Sequence, residues 1–288
     1  MRDYVILTDS CSDLPADLVS ELELDVLPLS FVMEGREYFN YPDNRDIDPK
    51  DFYNKMRSGA LGTTSAINVA VFAETMTALV GQGKDILCIS FSSALSTTYQ
   101  SARIAAEDVM AAHPGSKILV CDSRAASLGQ GLLVYLAALE KRKGRTLEEL
   151  RDFVEERKSH ISHWFTVDDL YHLKRGGRVS AAAALFGTML QMKPVLHVDD
   201  EGRLIPVSKV RGRKASVNAL LEKMDELVDD PSVVFISHGD CFDEVHSLGE
   251  AIKAKYPVDK LVINYVGPVI GNHTGAGVIA LFFQGKHK

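Results

Sequence analysis

The chain has 288 residues, 46% of them hydrophobic and 25% charged, and it carries a formal charge of −7 at pH 7. This is the composition of a globular protein long enough for one large or two medium cores, and the acidic excess argues against a general nucleic-acid binder. Four scattered cysteines, Cys11, Cys88, Cys121 and Cys241, indicate neither a zinc site nor a disulfide framework, and no run is apolar for long enough to span a bilayer.

Strands and helices alternate through the first half. Residues 4–8 are too short an apolar run for a secretory signal and read as a strand, so a cytoplasmic protein is expected. A short helix over 15–22 follows, with Pro15 at its first turn, where a missing N–H costs nothing. Residues 24–33 read as one strand and Glu34-Gly35-Arg36 as a hairpin turn. Asp48-Pro49 opens a helix through residue 56, and 59–65 is a loop. The helix over 69–80 places Val69, Phe72, Ala73, Met76 and Leu79 on one face. Strand 86–90, helix 97–112, strand 117–121 and helix 126–143 continue the alternation expected of a parallel sheet covered on both faces.

Thr146-Leu147-Glu148-Glu149 is a capping box, and the helix it opens ends near residue 159. A strand over 160–167 and a helical turn over 168–174 lead to Arg175-Gly176-Gly177-Arg178. Strands 191–198 and 203–210 flank Asp199-Asp200-Glu201-Gly202 and form an antiparallel hairpin. Helix 214–227, strand 232–237, helix 244–255, strand 260–265 and an apolar run over 278–283 complete the chain. Hairpins mixed with crossovers imply a mixed sheet. The expectation is therefore an α/β protein of two α/β domains: residues 1–160, with a mostly parallel sheet flanked by helices, and residues 161–288, with a mixed sheet and helices.

Chemistry gathers at the strand ends. Asp9-Ser10-Cys11-Ser12-Asp13, Ser92-Ser93-Ala94-Leu95-Ser96-Thr97-Thr98 and Asp122-Ser123-Arg124 each follow a strand and open a helix, and Gly62-Thr63-Thr64-Ser65 is a fourth hydroxyl-rich loop. In an open α/β sheet such loops converge on one crevice, where N–H groups and hydroxyls suit a carboxylate or phosphate; taken singly, each hydroxyl residue is an ordinary helix cap. A Walker A loop, a complete dinucleotide fingerprint and a G-x-S-x-G elbow are all missing. Gly271-Asn272-His273-Thr274-Gly275 is a glycine-rich turn before the last strand, with His273 held between glycines. Arg175, Arg178, Lys209, Arg211, Arg213 and Lys214 form a basic cluster fit for phosphate or an acidic partner, or simply a solvated surface.

Together, Thr8-Asp9-Ser10-x-Ser12-Asp13-Leu14, Thr63-Thr64-Ser65, the run from Ser92 to Ala102, Cys121-Asp122-Ser123-Arg124, Lys174-Arg175-Gly176-Gly177-Arg178-Val179, Met192-Lys193-Pro194-Val195-Leu196 and Gly267-Pro268-Val269…His273-x-Gly275-x-Gly277 resemble the DegV family of bacterial fatty-acid-binding proteins. Departures are small: Ala66-Ile67 replaces Gln-Pro, and Thr97 replaces a common Gly. The resemblance implies a non-catalytic protein that encloses a long-chain fatty acid between its domains and presents the carboxylate to a separate fatty acid kinase, which makes acyl phosphate for phospholipid synthesis. It implies no metal, no cofactor beyond the lipid, no nucleic acid and no stable membrane insertion. By position, Thr63, Ser93 and His273 meet the carboxylate; Thr64, Ser96 and Gly275 form a secondary polar shell; Arg178 and Arg211 contact the partner or phosphate. Candidate tunnel walls are residues 181–190, with Leu185, Phe186 and Met189, and Ile279 and Phe282 of the last strand. Roughly fifteen methylenes at about 0.8 kcal/mol each amount to about 12 kcal/mol before ordering costs, so affinity rests on the tail and the polar groups set orientation. Two other classes compete: an esterase-like acyl transferase with Ser93 activated by His273, and a phosphotransfer protein accepting phosphate on His273.

Overall fold

A computed structural model describes residues 2–168, 170–179 and 191–288. The candidate tunnel wall over 181–190, with Leu185, Phe186 and Met189, lies outside the described residues. Strand β1 (Tyr4–Asp9) is buried along its whole length and leads through a 3-10 turn (Ser10–Ser12) to helix α1 (Ala16–Glu21). The stretch expected to be one strand is two, β2 (Asp25–Leu27) and β3 (Ser30–Met33), and they belong to different sheets. Pro28 stands at the break, where its missing N–H cannot continue a ladder. Glu34 and Gly35, both at positive φ (53° and 77°), make the tight turn from β3 to β4 (Arg36–Phe39).

Helix α2 (Pro49–Arg57), capped by the Asp48 carboxylate on Lys50 N–H at 2.8 Å, precedes β5 (Gly62–Ser65). The expected loop is thus partly a strand: β5 pairs antiparallel with β3 to complete a small sheet in the order β4-β3-β5. Thr63 and Thr64 favour a strand but Gly62 and Ser65 do not, and the pairing with the neighbouring strand decides. Helix α3 (Val69–Gly81), β6 (Asp85–Ser90), α4 (Thr98–Ala112), β7 (Ile118–Asp122), α5 (Leu128–Arg142) and α6 (Leu147–Arg157) follow as expected, and the Thr146–Glu149 capping box is formed in both directions. Strands β2-β1-β6-β7 form an all-parallel sheet.

The mixed sheet is built from Ile161 onward. After β8 (Ile161–Thr166) and α7 (Tyr171–Arg175), β9 (Met192–Val198) and β10 (Leu204–Arg211) pair as the expected hairpin. Helix α8 (Arg213–Leu227), β11 (Val228–His238), α9 (Phe242–Lys255), β12 (Lys260–Tyr265), α10 (Pro268–Thr274) and β13 (Ile279–Gly285) complete the sheet order β10-β9-β8-β13-β11-β12. Only β11 and β12 run parallel among these neighbours. Side chains alternate between its faces. Trp164, Ile236, Ile279, Leu281 and Phe283 pack under α8 and α9, whereas Phe165, Phe235, Ala280 and Phe282 face the N-terminal half.

Two helices tie the halves together. Every residue of α5 from Leu128 to Ala138 is buried, with β1 on one side and β8, β11 and β13 on another; a helix without a polar face has to be enclosed. The turn expected over 271–275 is largely the helix α10, opened by Pro268, which packs back on α2, β3 and β5. Gly271 sits inside it because a Cβ there would run into Phe52 and Tyr53.

Gly129 of α5 lies where a side chain would overlap the rings of His163 and Phe282. Gly129→Val should therefore destabilise the protein by about 1–3 kcal/mol through overpacking. A urea unfolding midpoint equal to that of the wild type would contradict this account of the seam.

Candidate functional site

A cavity of about 310 Å³ lies between the loops at the carboxyl ends of the parallel strands and the inner face of the mixed sheet. Strand parity builds one wall: Phe165, Ala280 and Phe282 alternate inward, joined by Val198 and Leu204 of the hairpin. Ile279, expected on this wall, instead points under the helices, since it is one residue out of phase with Ala280. Leu29, Phe91 and Leu95 supply the N-terminal side, and Val266, Val269 and Ile270 the flank along α10. The volume falls at the lower end of the ~300–1,000 Å³ range of small-molecule sites, and the lining is mostly apolar.

A polar group marks one end. Thr64 pairs with Phe31, which is fully buried, so its side chain points inward; Thr63 pairs with the exposed Val32 and points out. The structure thus corrects the expected order of these two residues: Thr64, not Thr63, lies on the cavity wall. Its Oγ1 is 2.8 Å from His273 Nε2. Arg175 clamps the pair from behind, donating to the carbonyls of Gly62 and Asn272 at 3.3 and 3.0 Å. Arg178 also lines the cavity, and its Nε donates to Leu95 O at 3.3 Å, which brings the loop carrying Ser96 and Thr97 to the same end. Among the described lining residues, Ser65, Ala66 and Thr97 are exposed, so this polar end reaches solvent.

Burial, with the nearby Arg178 and Arg175 charges, pushes His273 down to about 4, so the imidazole is neutral at pH 7. Its Nδ1 is buried with no described hydrogen-bond partner. Among the described lining residues the cationic group is Arg178.

Ser93 is exposed and turned away from the cavity: its Oγ donates to Asp122 Oδ2 at 2.5 Å and its N–H to Asp122 Oδ1 at 3.2 Å. A carboxylate acceptor one loop away decides that rotamer. The Ser93–His273 pair required by the acyl-transfer alternative is not formed, because His273 bonds Thr64 instead. Ser96 lies on the wall, bonded to Thr98 Oγ1 at 2.8 Å. Gly275 ends α10 at φ 81° against the His172 ring and makes a backbone turn rather than a wall. Arg211 is exposed at the end of β10.

A buried trio went unnoticed in the sequence. Ser127 Oγ lies 2.5 Å from Asp13 Oδ2 and 2.9 Å from Ser237 Oγ, and both serines line the cavity. Its members are more than a hundred positions apart along the chain, so no spacing joins them. Burial pushes the Asp13 carboxyl up to about 8. Among the described residues no group of His, Cys, Asp or Glu is arranged to hold a metal ion, and no helix is long and apolar enough to cross a membrane.

A family profile described as "Uncharacterised protein, DegV family" matches residues 3–286. The chain belongs to the DegV family. It is 44% identical over 290 residues to a DegV domain-containing protein of Clostridium perfringens, covering 100% of this chain and 99% of that one. A fatty-acid-binding DegV family protein from Thermus thermophilus superposes with a TM-score of 0.87 at 32% identity, over 98% of this chain and 99% of the other. DegV of Bacillus subtilis, a fatty acid binding protein, gives 0.83 at 30% identity, over 98% and 99%.

The shifted groups have opposite effects on stability with pH. His273 stays neutral when folded down to about 4, whereas the unfolded chain takes up the proton near 6.5, so its contribution is lost as pH falls between those values. Asp13 keeps its proton when folded up to about 8 but loses it near 3.8 when unfolded, so its contribution is lost as pH rises through that window. Relative to wild type, His273→Gln should gain stability as pH falls from 6.5 to 4, and Asp13→Asn as pH rises from 3.8 to 8. Differences that stay flat with pH in chemical denaturation would contradict these environments.

Proposed function

We propose that this DegV protein holds one long-chain fatty acid in the seam cavity, tail against the sheet wall and carboxyl at the polar end, and presents that end to a separate fatty acid kinase. The observation that carries the reading is the polarity of the cavity: apolar walls run from Phe165 to Phe282, and the hydroxyl, imidazole and guanidinium of Thr64, His273 and Arg178 gather at the end that meets solvent. The fatty-acid-binding relatives from Thermus thermophilus and Bacillus subtilis, alike over nearly the whole chain, support the ligand class.

In this reading the tail supplies most of the affinity and the polar end selects the orientation. Arg178 meets the carboxylate charge. Neutral His273 and Thr64 contribute hydrogen bonds without adding charge, and Ser96 completes the ring. Thr63 and Ser93, on the outer side of the same two segments, and Arg211 on β10 belong to the face a kinase would cover. The chain itself does no chemistry in this scheme: the phosphoryl donor and the catalytic groups come with the partner.

Lipid extraction followed by mass spectrometry should find a straight-chain fatty acid carried through purification, and delipidated protein should take up palmitate or oleate. Arg178→Ala combined with Thr64→Val should weaken the free acid by tenfold or more relative to its methyl ester, since bonds to a charged group contribute about 1.5–3 kcal/mol each. Equal losses for acid and ester would refute the head-group assignment, and a protein that neither carries nor takes up lipid would refute the function.

A further inference from the structure

Ser127 stands out on the cavity wall. Its backbone is at φ 54°, ψ −149°, a strained region that non-glycine residues rarely occupy. It occupies the N-cap position of α5, yet its hydroxyl makes no capping bond and reaches sideways to Asp13 and Ser237. Asp13, Ser127 and Ser237 are 7%, 4% and 0% exposed. The trio shares no described hydrogen bond with the head-group end, where Thr64 bonds His273 and Arg178 bonds Leu95 and Gly176. Ser237 lies in one row across the mixed sheet with Ala280 and Phe165, both apolar wall residues. Two hydroxyl-bearing residues therefore stand in a wall whose neighbours in that row are apolar.

We propose that Ser127 and Ser237 are a second recognition point within the cavity, one that takes a hydroxyl group carried along the acyl chain, so that hydroxy fatty acids are the ligands this protein prefers. The inference rests on reading the cavity as an acyl site.

Proton counting favours a hydroxyl over other substituents. A serine has one proton to donate and two lone pairs. When Asp13 is protonated it donates to Ser127, Ser127 donates to Ser237, and the Ser237 proton is left to face the cavity. When Asp13 is ionised the directions reverse: Ser237 donates to Ser127, and its lone pairs are left to accept. A ligand hydroxyl serves either arrangement, because it both donates and accepts. A methylene serves neither, and a ketone only the first. With the carboxyl held in place at the polar end, the trio reads one position along the chain and ignores the rest.

The test is a calorimetric titration of delipidated full-length protein, wild type and Ser237→Ala, with stearate and a set of positional isomers of hydroxystearate. One isomer should bind the wild type about twofold to tenfold more tightly than stearate, the size of one neutral hydrogen bond, and Ser237→Ala should erase that ratio. Should Ser237→Ala fail to fold, Ser127→Gly, which removes the hydroxyl and relieves the backbone, is expected to erase it equally. Wild-type binding of stearate with no isomer preferred, or a preference that survives both substitutions, would overturn the inference and leave the acyl site standing; the trio would then be only a tie between the two halves. Failure of the wild type to bind stearate or any isomer would overturn the acyl site and this inference together.

Discussion

The enclosure of α5 is the constraint from which the rest of the architecture follows. From Leu128 to Ala138 this helix has no side that water can reach, so apolar surface has to cover it all round. The parallel sheet covers it through β1, and the mixed sheet through β8, β11 and β13. Once both sheets are held against one helix, the carboxyl ends of the parallel strands face the inner side of the mixed sheet. The cavity is the part of this seam that side chains leave unfilled. Its apolar wall comes from period-two side chains of the mixed sheet, and its polar end from Thr64 of β5, His273 of α10, Arg178 and the loop carrying Ser96 and Thr97.

Charge at the site is economical. An imidazolium and two guanidiniums around one small opening would repel each other, and burial with the nearby arginines keeps His273 neutral instead. Arg175 donates to backbone carbonyls of β5 and α10 and so holds Thr64 and His273 in register, whereas Arg178, which donates to Leu95 O and Gly176 O, is the cation that lines the wall among the described residues. In the proposed complex, one cation faces one carboxylate, a matched pair. Two unmatched cations in the same place would raise the desolvation cost of the empty site.

Much of this was legible in the sequence, and the misses share a physical cause. Strands and helices with a clear period, such as β6, α4 and the β9–β10 hairpin, fall where periodicity puts them. Elements whose identity comes from a neighbour do not: β5 is a strand because β3 pairs with it, and α10 is a helix although Gly271 lies inside it. At the site, motif position located the Thr63-Thr64-Ser65 loop but not which residue faces inward, since a one-residue shift of strand parity reverses the face. The orientation of Ser93 is likewise hidden from local spacing, because its hydroxyl bonds Asp122 on another loop. The Asp13–Ser127–Ser237 trio was beyond reach, being assembled only when the two sheets close on α5.

The most direct measurement is a crystal structure of the protein with a fatty acid carrying bromine on its terminal carbon. The account predicts anomalous signal from the bromine inside the seam, against the apolar wall of the mixed sheet, with the carboxylate in hydrogen-bond contact with Thr64 or His273 and its charge facing Arg178. Bromine at the solvent end, or a lipid lodged anywhere other than between the two sheets, would contradict it.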